Sequence, residues 1–102
     1  MNTQLIKNNY DWLKIEHEKL TSADRESVLG LYKTVIDTSW KTLRQIIPKN
    51  KLGKLSGMYE RFLLALCREN NITSEEDRII IEYAFVLMYI IYVREQLSIY
   101  EI

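Results

Sequence analysis

IIIEYAFVLMYIIYV, residues 79–93, is the stretch whose reading decides the fold, and Glu82 is its only charged residue. A surface helix needs apolar residues on one stripe only. A helix that is apolar all round has to be wrapped by its own chain, by a partner or by lipid. The β-branched residues Ile79, Ile80, Ile81, Val86, Ile90, Ile91 and Val93 also suit a buried strand. The length of the run and a capping signal upstream favour a helix, and no second strand is present to pair with it. Nothing reaches the ~18 uninterrupted apolar residues that a membrane-spanning helix requires.

Outward from this belt, the upstream sequence supplies helix starts and stops. Thr73 with Glu76 has the spacing of a capping box, and Glu75, Glu76 and Asp77 place negative charge where the helix dipole favours it. The fourth helix is therefore expected over about 74–99. Before it, Leu52, Leu55, Tyr59, Phe62 and Leu66 fall on one helical face, which predicts a helix over 51–69 capped by Asn50. Ser56 is the alternative start, because Gly53 and Gly57 weaken the first turns. Asn70 or Asn71 suits a left-handed residue at the end of this helix.

Leu29, Tyr32, Ile36, Trp40, Leu43 and Ile47 form a longer stripe, predicting a helix over 22–46. It opens at the capping box Thr21–Asp24 and is stopped by Pro48, which biases Ile47 away from helical dihedrals. Gly30 inside this helix reads as a place where another helix comes close. Ile6, Tyr10, Leu13, His17 and Leu20 mark the first helix, 3–19, with Leu5 and Trp12 flanking the stripe; Asn2, Thr3 and Asn9 are its possible caps.

Four helices joined by short turns predict an all-α, antiparallel four-helix bundle in a single domain, 1–102, with the C-terminal helix most buried. A chain of 102 residues can bury roughly two thirds of its unfolded surface, enough for one core. Three striped helices cover only part of an apolar fourth. Tyr83, Phe85, Met88, Tyr89 and Tyr92 are accordingly the expected surface for self-association or a protein partner, with Tyr100 adding to the tyrosines of the last helix.

Composition narrows the functional classes. The apolar share of 47% and charged share of 27% exclude a disordered chain, and the net charge is zero. That balance hides a division: residues 1–59 hold ten Lys or Arg against six acids, and residues 60–102 hold four against eight. The single cysteine, Cys67, cannot form an internal disulfide or a multi-cysteine zinc site. With no secretory run at the N-terminus, a cytoplasmic location is expected. Richness in Lys, Asn and Ile is a bias common in proteins from AT-rich bacterial or phage genomes.

No residue constellation spells out a reaction, so no catalytic residue, metal site or cofactor is expected. His17, the only histidine, sits on the first core stripe and reads as structural. Cys67 beside Arg68 reads as a packing residue, although a nearby cation can favour a thiolate. Glu82 is either a buried acid or one half of a pair with Arg78 a turn earlier. Gly53-x-x-x-Gly57 has the spacing of a close helix approach or of a fraying helix start. The coherent charge feature is Lys41, Arg44, Lys49, Lys51 and Lys54, which has no acid from Thr38 to Tyr59. It is a candidate contact for an acidic protein surface or for nucleic acid, although phosphate binders usually carry a positive net charge.

These observations lead to the expectation of a small non-enzymatic protein-binding module, an inhibitor, antitoxin, immunity-type protein or regulatory subunit, acting as a homodimer or on a protein partner. A nucleic-acid-binding module using the 41–54 region is the alternative. The chain resembles small helical immunity or phage-encoded inhibitor proteins in size and helical layout only.

Overall fold

The computed structural model describes the backbone of residues 1–100 and the side chains of residues 1–98. The side chain of Tyr100 therefore lies outside the described residues. Four helices run in order: α1 (Thr3–Glu18), α2 (Ser22–Ile46), α3 (Lys49–Glu69) and α4 (Glu75–Tyr100). The belt is helical throughout, so its β-branched content yields to its length and its surroundings.

Local chemistry accounts for the ends. The Asn2 side chain accepts from the Leu5 N–H at 3.0 Å and starts α1. Thr21 does the same for Asp24 at 3.2 Å and starts α2. The last carbonyls of α1 are closed from outside: the Arg25 guanidinium donates to the carbonyl oxygens of His17 and Glu18. This clip holds the very short α1–α2 turn. Ile47 is extended (φ −83, ψ 126) before Pro48, as the proline demands.

Two starts differ from the sequence expectation. α3 begins at Lys49, directly after Pro48, and has no side-chain cap, so Asn50 lies inside the helix. Pro48, extended at φ −56 and ψ 141, stands immediately before the helix, where its missing N–H removes no helical hydrogen bond. At α4 the cap is Ser74 rather than Thr73, with its hydroxyl accepting from the Asp77 N–H at 3.1 Å.

Just ahead of this cap, α3 closes on itself. Asn71 takes a left-handed φ of 53; its N–H bonds Arg68 O at 3.2 Å, and the next N–H, of Ile72, bonds Cys67 O at 2.9 Å. This paired closure is the Schellman arrangement, and it turns Ile72 back onto the core.

α4 is the hub. α1, α2 and α3 each pack more extensively on α4 than on one another. Ile80, Ile81, Phe85, Val86, Tyr89 and Val93 are fully buried on it. An aromatic cluster joins three helices: Tyr59 of α3 stacks on Phe85 with ring centroids 4.9 Å apart and meets Trp40 of α2 edge-on at 4.7 Å. Burying a side chain of the size of Phe or Ile contributes roughly 1.5–3 kcal/mol, so α4 supplies a large part of the stability.

The glycines do not have the packing role read from the sequence. A methyl group at Gly30 or Gly53 would meet no heavy atom within 4 Å, and at Gly57 it would meet only the end of Arg61. Among the described residues no helix is long and apolar enough to cross a membrane.

The position of the α4 cap is directly testable. Ser74→Ala is expected to cost about 1 kcal/mol in chemical denaturation, as the loss of a helix cap does. Thr73→Ala is expected to change stability by no more than a few tenths of that value.

Candidate association surface

The belt distributes its large side chains unevenly. Phe85 and Tyr89 are fully enclosed by the lone chain, which corrects the expectation that they belong to an association surface. Their rings are held by the cluster around Tyr59, and the Tyr89 hydroxyl donates to the Leu55 carbonyl oxygen across to α3. Tyr83 is half-buried and stacks on Tyr32 of α2 with centroids 4.1 Å apart. Met88 and Tyr92 are half-buried against the core. The belt residues that point outward are Leu87 and Ile91, 43% and 52% exposed. A run that is apolar on every face carries no mark of which face its neighbours leave open.

A second apolar surface lies on α1. Leu5, Trp12 and Ile15 are 40%, 63% and 56% exposed. At 100° per residue they centre roughly 140° around the helix from the core-facing stripe of Ile6, Tyr10, Leu13 and His17. Leu5 and Trp12 therefore do not flank the core stripe but belong, with Ile15, to the opposite side. α1 is apolar on two faces, and the bundle uses one of them.

Several titratable groups join helices. His17 is buried and its Nε2 lies 2.6 Å from Glu76 Oε1, while its Nδ1 has no hydrogen-bond partner among the described residues. Nearby, Lys14 donates to Asp77 at 3.3 Å, a bond that raises the Lys14 pKa. These two contacts fasten the end of α1 to the first turn of α4. Glu82 accepts from the Tyr59 hydroxyl at 2.5 Å and has no ion pair with Arg78, whose carboxylate neighbour is Glu75 at 3.9 Å. Burial raises the Cys67 thiol pKa, against any thiolate role. Among the described residues, no group of three His, Cys, Asp or Glu side chains is placed to hold a metal ion.

The chain matches no family model, no curated protein and no solved structure.

The basic residues gather where α2 ends and α3 begins. Lys41, Arg44, Lys49 and Lys54 are exposed and Lys51 is half-buried. Three of them line two different clefts. Arg44 lines a cleft of about 350 Å³ with Trp40, Tyr59, Arg78 and Glu82, where acids and cations mix. Lys51 and Lys54 edge a separate, mainly apolar cleft of about 320 Å³ formed by Leu55, Met58, Tyr92 and Leu97.

The buried phenols give the fold an alkaline limit. Burial, and next the neighbouring Tyr92, pushes the Tyr89 pKa up to about 12. Burial and then the Glu82 hydrogen bond hold Tyr59 far above the ordinary tyrosine value. An unfolded chain releases these protons near pH 10, whereas the folded one keeps them. The stability they contribute is thus complete below about pH 10 and is lost as the pH climbs towards the folded values. In urea titrations at stepped pH, Tyr59→Phe and Tyr89→Phe are expected to flatten this alkaline loss. An unchanged slope in both variants would contradict the assignment.

Proposed function

We propose that this chain is a small protein-binding module without a reaction of its own, of the inhibitor, antitoxin, immunity or regulatory-subunit kind, acting in the cytoplasm by covering a partner's surface. The observation that carries this reading is the second apolar face of α1. A monomeric protein gains nothing from exposing a tryptophan flanked by Leu5 and Ile15 on a helix whose core side is already satisfied. Trp is also the residue type most enriched among the energetically dominant contacts of protein interfaces. Leu87 and Ile91 on α4 offer a smaller surface that suits self-association.

Substituting exposed residues tests this without disturbing the core. Purified from its native host, the chain is expected to carry a stoichiometric protein partner or to sediment as a dimer. Trp12→Lys with Ile15→Lys is expected to remove the partner, and Leu87→Lys with Ile91→Lys to remove the dimer, with helical content unchanged in both. A chain recovered alone and monomeric would end this reading.

A second reading, nucleic-acid binding at the basic corner, is favoured by one feature: α3 starts beside Lys49, Lys51 and Lys54 with no side-chain cap on its N–H groups. It requires affinity that falls steeply with salt, and Lys49→Glu, Lys51→Glu and Lys54→Glu together should abolish it. Absence of DNA or RNA binding by the unaltered chain at low salt removes this alternative.

A further inference from the structure

The exposed face of α1 has a finer pattern than apolar exposure alone. Leu5, Asn8, Trp12 and Ile15 follow one another at spacings of three, four and three, and all four are exposed. This is the alternation by which one helix presents a seam to another in a coiled coil, with Asn8 as the single polar member between two apolar layers. The seam is backed by a helix fixed at its far end to α4 through His17–Glu76 and Lys14–Asp77. It is thus presented on a rigid base.

The charges beside the seam decide what can cover it. The flanking positions on one side are Gln4, Asp11 and Glu18, and on the other Asn9 and Glu16. None is a cation. If two copies paired through this face in antiparallel fashion, Asp11 would face Asp11 of the second copy. In a parallel pair Asp11 would face Glu16 of the second copy. Either direction sets acid against acid, which is unfavourable at these positions. Lys7 and Lys19 pair with Asp11 and Glu16 at 2.9 Å and 3.0 Å, but these are exposed contacts within α1, which hold such side chains only weakly.

We infer that the outer face of α1 receives an amphipathic helix of another protein, with an apolar seam spaced like its own, a polar residue opposite Asn8, and Lys or Arg along both flanks. This deepens the association reading above and rests on it. The arrangement adds a fifth helix to the bundle, with α1 between the hub and the partner. Trp12 supplies the anchor, Asn8 sets the register, and the acidic flanks select for a basic partner.

The test uses two synthetic helical peptides sharing one Leu/Ile seam with a single Asn. One carries Lys at the flanking positions, the other Glu. Calorimetric titration of the full chain is expected to show binding of the Lys peptide only, weakened about tenfold or more by Trp12→Lys. Asp11→Lys with Glu16→Lys is expected to reverse the preference, and this second variant decides the matter if Trp12→Lys fails to fold. Failure of both peptides to bind, equal binding of the two, or binding that is insensitive to Trp12 would overturn the inference. So would dimerisation of the unaltered chain that Trp12→Lys abolishes. If the peptides fail while the chain still leaves its host with a stoichiometric partner, the association reading stands and this assignment of the partner falls.

Discussion

The structure depends on one constraint: the central turns of α4 are apolar on nearly every side and need cover over most of their surface, Leu87 and Ile91 remaining open. Each of the other helices buries one apolar stripe there. The result is three helices around a fourth rather than four equal members. Three of the interhelical polar contacts follow the same geometry, since His17–Glu76, Lys14–Asp77 and Tyr59–Glu82 all end on α4. Burying a polar group is costly unless it is hydrogen-bonded, and each of these pairs supplies such a bond while fixing a helix on the hub, with His17 Nδ1 left without a partner among the described residues.

Much of this plan was legible in the residues. Helix number, approximate boundaries, the stop at Pro48 and the central position of the last helix come from periodicity and capping chemistry. The details that escaped are those decided between helices. Thr73 and Ser74 are both competent caps, and it is Ser74 that directly precedes the first helical residue and accepts from the Asp77 N–H. Glu82 has a cation one turn away, yet its partner is a tyrosine on another helix, a pairing that no local spacing encodes.

The candidate surface was half legible for a related reason. An all-apolar belt announces that it must be covered but not which residues are, so Phe85 and Tyr89 disappear into the core while Leu87 and Ile91 stay open. On α1 the opposite holds: two apolar stripes coexist in sixteen residues, and the one that fitted a core hid the other. Counting apolar residues against a single periodic template leaves the surplus unexplained, and Trp12 and Ile15 were part of that surplus.

The hub arrangement also dictates when the fold can form. Apart from the local Arg25 clip, the side-chain bonds of α1 to other helices span 59 and 63 residues of chain, because their partners lie at the start of α4, and α2 likewise packs mainly on α4. During synthesis the first three helices precede the hub on which they dock, because α4 follows all of them in the chain. The contacts that join the first three helices to the hub therefore cannot form until α4 is available.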